Sequence, residues 1–331
     1  MYKIFTNKIL PAENIAIFMH INPDADCIGS SLAMYKFLTN LGKSATVFLE
    51  PENLLRKNLE FFPNANIIQI SNNCSKTVFD LGICLDCATI DRMGKKSANI
   101  FLNNCDEKLW IDHHEYIDKP PKKDSIIESH AGATAQILFK LFENFDKLAI
   151  DNDIAICLYG AIAADTGVFS FSTTTNETLT IASKLLTYNI NGPEIILKVY
   201  KERTIGEFKL MASVLNNAKF YFNNKLGIIT FKQSDFDKTS TKITSTEGII
   251  NSLIEIDEVM LAIAIAEENT KDAFKISIRS KQNINASEFA KYFGGGGHKH
   301  ASGCKINKPY EQVIDNILNY SEAFLQKSSL E

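Results

Sequence analysis

The chain has 331 residues, 45% of them hydrophobic and 22% charged, with 35 Lys and Arg against 39 Asp and Glu, a net charge of −4. That length suits roughly two domains of about 150 residues, each able to bury a core. The acidic balance weighs against a protein that coats long duplex nucleic acid, which needs a basic face. Seven cysteines without framework spacing, no leader-like apolar segment and no run of membrane-spanning length read as reduced thiols in a cytoplasmic protein with no membrane association.

Apolar runs at 15–19, 44–49, 66–70, 81–85 and 108–111 read as strands buried on both faces. Between the first two, Leu32, Tyr35, Leu38 and Leu41 form one stripe of a helix over 31–41. Ser30 or Ser31 suits its N-cap and Gly42 its C-terminal end. Helical patterns follow over 132–145 and 151–165. This alternation predicts an α/β fold with a mainly parallel sheet and helices on both faces.

The second half changes character. A hairpin over 219–222 and 225–231 turns at Asn223-Asn224, and a helix is expected over 247–255. Strands at 259–266 and 273–278, a helix at 286–292, the run Gly294-Gly295-Gly296-Gly297 and a final helix from Pro309 to about 326 complete an α+β pattern. The expected organisation is a catalytic domain over 1–187, a helical linker over 188–216 and a smaller α+β domain over 217–331, with a cleft between the two domains.

The charged residues are unevenly divided. Residues 1–190 carry 17 Lys and Arg against 22 Asp and Glu, net −5, whereas residues 191–331 carry 18 against 17, net +1. Much of the acidic excess falls where strands should end. His20, Asp24 and Asp26 follow the first strand, Asp86 the run ending at Leu85, and Asp112-His113-His114 the run ending at Ile111. Ligands of parallel α/β sheets bind outside these carboxyl ends. A fourth acid, Asp165, follows the apolar stretch 161–164 and needs a partner there. One acid after a strand is ordinarily a helix cap, but four clusters on one edge would repel each other unless divalent cations join them. Imidazole and carboxylate donors without thiolates suit Mn²⁺ or Mg²⁺ better than structural zinc. Their number is enough for two cations, the arrangement that clamps attacking and leaving oxygens in phosphoryl transfer.

These clusters resemble the four motifs of the DHH phosphoesterase superfamily, which takes its name from the third. Arg279-Ser280, followed by the glycine run, His298 and His300-Ala301-Ser302-Gly303, resembles the signature of the DHH-associated substrate domain. The resemblance covers about residues 14–304 and is nearest to short bacterial nanoRNase/pAp phosphatases and stand-alone cyclic-dinucleotide phosphodiesterases. It implies that His20 and Asp24 bind one metal, Asp26 the other, and Asp86 both. His113 and Asp165 would complete the second metal, Asp112 would orient His113, and His114 would donate to the scissile phosphate. Asp118 stands where many relatives have Asn.

In the second domain the resemblance assigns the terminal phosphate or nucleotide to Arg279, Ser280, Gly294 to Gly297, His298 and His300, with a contribution from Thr246-Glu247-Gly248. Arginine can hold a phosphate bidentately. Consecutive glycines cost backbone entropy but let amides approach a phosphate closely. The implied activity is a phosphoesterase with two divalent ions, Mn²⁺ first and Mg²⁺ or Co²⁺ as substitutes. Its substrates would be RNA of about two to five nucleotides, pAp or dinucleotides; hydrolysis of cyclic di-AMP is the alternative. A non-catalytic nucleotide-binding regulator would lack metal ligands, and none is missing. Dimerisation is common in such relatives. Cys84 and Cys87 form a solitary C-x2-C and read as core thiols, as the aromatics Phe61, Phe62 and Phe220 to Phe222 read as core.

Overall fold

The computed structural model describes residues 2–51, 55, 57–73, 77–87, 89–114, 124–246, 248–268, 270, 272–281 and 283–328, without the side chains at 73, 201, 298, 327 and 328. Asp118, Glu247 and the His298 side chain therefore lie outside the described residues. The chain divides into two compact units, Met1–Glu202 and Arg203–Glu331.

The first unit runs α1 (Tyr2–Ile9), β1 (Asn14–Phe18), α2 (Ala25–Asn40), β2 (Ser44–Leu49), β3 (Gln69–Ile70), β4 (Phe79–Leu85), α3 (Lys95–Asn103), β5 (Cys105–Asp112) and β6 (Ser125–Ile127). It continues with α4 (Thr134–Asp146), α5 (Asn152–Asp165), α6 (Asn176–Leu186) and α7 (Gly192–Ile196), which passes into a π-helical turn, Leu197–Lys201. The six strands form an all-parallel sheet in the order β3-β2-β1-β4-β5-β6. Side chains along β1 alternate between two cores, as period-2 geometry requires. Ile15, Ile17 and Met19 join the core that includes residues of α2, α4 and α5, while Ala16 and Phe18 join the other with Phe101 of α3. Helices thus cover both faces. Chain order reverses between β1 and β4, so their carboxyl ends flank the crevice where such sheets bind ligands.

Helix α2 begins six residues before the expected Ser31. Asp24 Oδ1 accepts the Cys27 N–H at 3.0 Å and caps the helix in place of Ser30 or Ser31. Every residue from Ala25 to Met34 is buried, so no polar face marks this start. Gly29 explains the burial. A Cβ there would stand 2.7 Å from the Cys157 carbonyl oxygen and 3.0 Å from Ala161 Cβ, so α2 and α5 approach through it. Gly29→Ala should force the helices apart and lower stability by about 1–3 kcal/mol, despite the better helix propensity of alanine; urea denaturation measures it. The expected strand over 66–70 is a 3-10 turn, Ala65–Ile67, followed by the two-residue β3. Asn64, in the left-handed conformation at φ 65°, stands at the N-cap of that turn.

The second unit holds α8 (Ile205–Asn216), β7 (Lys219–Tyr221), β8 (Leu226–Phe231), α9 (Gln233–Thr239), α10 (Asn251–Ile254), β9 (Leu261–Glu267) and β10 (Ala273–Ser280). Then follow α11 (Ala286–Tyr292), β11 (Gly296–His298), β12 (Ala301–Asn307) and α12 (Tyr310–Ser328). Its sheet has the order β11-β12-β10-β9-β8-β7, antiparallel except for the parallel β8–β9 pair. The β7–β8 turn uses left-handed backbone at Phe222, Asn223 and Asn224. Ile276, Ile278, Phe289 and Val313 pack in one core, and Leu210, Phe236, Ala262 and Ala264 in another. The helix expected over 247–255 is only the four-residue α10. Among the described residues no helix is long and apolar enough to cross a membrane.

Candidate active site

The three strand ends of the first unit deliver the predicted residues to one place. Asp86 directly follows β4 and takes a left-handed φ of 54°, its N–H donating to the Ile111 carbonyl at 3.0 Å. This kink turns the side chain out of the strand line, where three imidazoles converge on it. His20 Nε2 stands 3.6 Å from Asp86 Oδ2, and His113 Nε2 and His114 Nδ1 each stand 3.5 Å from Oδ1. Thr134 Oγ1 also donates to Oδ1 at 3.0 Å. Asp24 Oδ2 lies 3.9 Å from His20 Nε2.

A second group forms around His113, whose Nε2 is 3.2 Å from Asp165 Oδ2 and 3.9 Å from Asp26 Oδ2. Its Nδ1 pairs with the Ala131 carbonyl at 3.1 Å, which sets Nε2 toward the carboxylates. His20 Nδ1 likewise meets the Ile21 carbonyl at 2.8 Å. Asp112 ends β5 as an acceptor. Its Oδ1 receives the His113 N–H at 2.7 Å, the His114 N–H at 3.1 Å and His114 Nδ1 at 2.7 Å. The sequence resemblance pairs Asp112 with His113; the ring that Asp112 holds here is that of His114.

Asp26 performs a structural task as well. Helix α4 has Ala133 at its N-cap and no side-chain cap of its own. Asp26, from α2, supplies one in trans, accepting the Thr134 N–H at 2.7 Å through Oδ2 and the Ala135 N–H at 3.1 Å through Oδ1. Ser30 Oγ donates to it at 3.0 Å. The positive end of α4 therefore faces this acid. Asp165 is in the opposite situation, as the last residue of α5, where the helix dipole opposes negative charge.

The electrostatic strain is plain. Burial, followed by the charges of Asp26, Asp24, Asp112 and Asp165, pushes the Asp86 carboxyl well above the usual range. Burial also raises Asp26, against His113 and the two α4 amides, and pushes Asp165 to about 8. Burial acts the same way on Asp112, but the hydrogen bond and charge of His114 reverse it and hold that carboxyl at about 2. His113 is lowered by burial and raised more by Asp165, Asp26 and Asp112. Five of the eight groups, His20, Asp26, Asp86, Asp112 and His113, are at most 3% exposed. The ion pairs recorded for Asp26, Asp86 and Asp165 all go to imidazoles. So many buried acids around three neutralisable rings fit a site for divalent cations. Donors from Asp26, His113 and Asp165, and from Asp86, His113 and His114, lie within 4.8 Å of one another.

Sequence reasoning missed two members of this site. Thr134 was concealed in an amphipathic helix pattern. Cys27, whose sulfur forms a third such group with His20 and Asp86, lies inside the first acidic motif itself; its only signal was adjacency to Asp26.

In the second unit, the sheet register aligns His298, Ala301 and Arg279 in one row across β11, β12 and β10. Arg279 Nη1 donates to the Ile278 carbonyl at 3.0 Å. Ser280 Oγ donates to the Ile284 carbonyl at 2.8 Å and lies 3.2 Å from His300 Nδ1. Thr246 Oγ1 donates to the Ile243 carbonyl at 2.8 Å, and Gly248 turns with a φ of 75°. The four glycines have separate causes. Gly294 takes a φ of 77° where α11 ends, and Gly297 a φ of 138°. A Cβ on Gly295 would lie 2.2 Å from the Gly303 carbonyl oxygen, whereas one on Gly296 would meet nothing within 4 Å. Local packing thus requires glycine at 295 but not at 296. Gly295→Ala should lower the melting temperature by several degrees. Gly296→Ala should leave it unchanged and, if an amide cradle operates there, raise KM; thermal melts and steady-state rates separate the two.

Comparison with known proteins points the same way. Residues 14–162 match the DHH family, N-terminal domain, and residues 227–327 match the DHHA1 domain. A protein of Thermus thermophilus named bifunctional oligoribonuclease and PAP phosphatase NrnA is 28% identical over 313 residues, covering 92% of this chain and 89% of its own. The crystal structure of an exopolyphosphatase-related protein from Bacteroides fragilis superposes with a TM-score of 0.88 at 26% identity, covering 99% of this chain and 96% of that one.

Proposed function

Since the chain carries a DHH family N-terminal domain and a DHHA1 domain, it is a DHH-family phosphoesterase, and we propose that it hydrolyses short oligoribonucleotides to 5′-mononucleotides and pAp to AMP. The observation that carries this reading is the convergence of three imidazoles on the buried Asp86, with Asp26, Asp165 and Asp24 around them. Its Thermus relative is named for both activities.

In this reading His20 and Asp24 hold one cation, Asp26, His113 and Asp165 hold a second, and Asp86 serves both. Two divalent ions, Mn²⁺ for preference, supply when bound the neutralisation of phosphoryl charge and the activation of water. Asp112 holds the His114 ring through Nδ1, which directs Nε2–H as the donor to a phosphoryl oxygen whose charge grows in the transition state. His113 and His20 are fixed by backbone carbonyls, so neither ring must be ordered when substrate arrives. Arg279 and the amide at Gly296 are assigned to the substrate phosphate. The modest positive balance of the second unit is enough for a few phosphates, consistent with short substrates.

Rates on a diribonucleotide, pAp, cyclic di-AMP and pyrophosphate, compared with Mn²⁺ present, test the proposal. Turnover of the first two should dominate. Preference for cyclic di-AMP would transfer the site to a cyclic-dinucleotide phosphodiesterase, and no turnover with any divalent ion would sink the phosphoesterase reading itself.

A further inference from the structure

The ligand set just assigned contains only nitrogen and oxygen, yet a sulfur lies inside it. Cys27 occupies the first turn of α2, and its N–H is the donor that binds the capping carboxylate of Asp24 at 3.0 Å. The same bond therefore fixes the positions of both residues. The thiol is fully buried; its hydrogen bond to the Leu85 carbonyl is long at 3.8 Å, and it also pairs with the His20 side chain. Sγ, a His20 ring nitrogen and an Asp86 carboxylate oxygen lie within 4.8 Å of one another. Donors sharing one cation can stand at most about 4.4 Å apart, the sum of typical metal–sulfur and metal–nitrogen lengths. A closure of a few tenths of an ångström would bring all three onto one ion.

We propose that Cys27 is a sulfur ligand of the cation held by His20 and Asp86, giving that position an affinity for thiophilic divalent ions such as Co²⁺, Zn²⁺ and Cd²⁺ that the Asp26–His113–Asp165 position lacks. This rests on the cation-binding reading above and deepens it. On coordination the thiol loses its proton to solvent and binds as thiolate, with no change of oxidation state. Soft sulfur favours soft ions, while carboxylate and imidazole donors accept Mn²⁺ and Mg²⁺. The two positions are thus chemically unequal. The first would retain a thiophilic ion when Mn²⁺ is scarce.

The test is a Co²⁺ titration of the chelator-stripped full-length protein, read by absorption and calorimetry. A near-ultraviolet thiolate-to-cobalt charge-transfer band should develop with the first equivalent. It should vanish in both Cys27→Ala and Cys27→Ser and persist in Cys84→Ala and Cys87→Ala. Cd²⁺ affinity should fall at least tenfold in both Cys27 variants, and Mn²⁺ affinity much less. Calorimetric binding of Co²⁺ without the band, or a band surviving loss of Cys27, overturns the sulfur ligand and leaves the cation site standing. Absence of any Co²⁺ binding overturns both.

Discussion

Asp86→Asn should reduce phosphoester hydrolysis by about a thousandfold or more and, in the metal-free protein, raise the melting temperature. The first effect follows from the position of Asp86 as the group that all three imidazoles approach. Removing its charge removes several kcal/mol of stabilisation available to bound cations and, through them, to the transition state, at about 1.4 kcal/mol per tenfold. The second effect has the opposite sign. Burial and four neighbouring acids raise this carboxyl well above its ordinary range, so the ionised wild-type residue destabilises the empty fold. Asparagine removes the charge and tolerates the left-handed φ of 54° better than most residues. Activity assays with Mn²⁺ and calorimetric melts after chelation provide the two readings. A variant less stable than wild type without metal would show that the three imidazoles stabilise the ionised Asp86 more than burial and the neighbouring acids oppose it.

Asp112→Asn is the second large effect, expected at about 10–100-fold in kcat with little change in substrate KM. Asparagine can still accept the His113 and His114 N–H bonds, so the turn after β5 should survive. The charge opposite His114 Nδ1 is what disappears. That carboxyl is held near 2, mainly by His114 against the cost of burial, so it is ionised at any pH above about 4, and the deficit should be constant from there upward. A pH–rate profile checks this. A deficit that shrank toward low pH would mean that the aspartate itself titrates in the working range, and a loss confined to KM would move its role to substrate binding.

Much of this was legible in the residues because two periodicities and one edge rule did the work. Strands β1, β2, β4 and β5 announced themselves as unbroken apolar runs, and acids placed after such runs can only gather at one edge of a parallel sheet. Polar groups in turns needed for chemistry were therefore visible in a single chain. Less legible was anything that depends on contact between distant segments. The start of α2 was hidden because its first ten residues are buried on every side, so neither stripe nor polar face exists. The hydrogen bond between Asp112 and the His114 ring is set by the local turn, which the motif alone does not encode. Nor could the glycine run be divided into the two residues that pack and the two that do not, since the neighbour of Gly295 is Gly303, on a strand later in the chain.

The cap that α2 lends to α4 has a consequence for how the site tolerates emptiness. A buried acid with no cation usually has two escapes, taking up a proton or swinging away, and either would have to be undone before an ion could enter. Asp26 is kept from the second, since two amides and a hydroxyl hold its oxygens in place without a cation. The cost of keeping that carboxylate in position is met during folding by a helix that lacks its own cap. Loading therefore begins from a seat already set, and the residue that anchors α4 also serves as the fixed point around which the rest of the centre is measured.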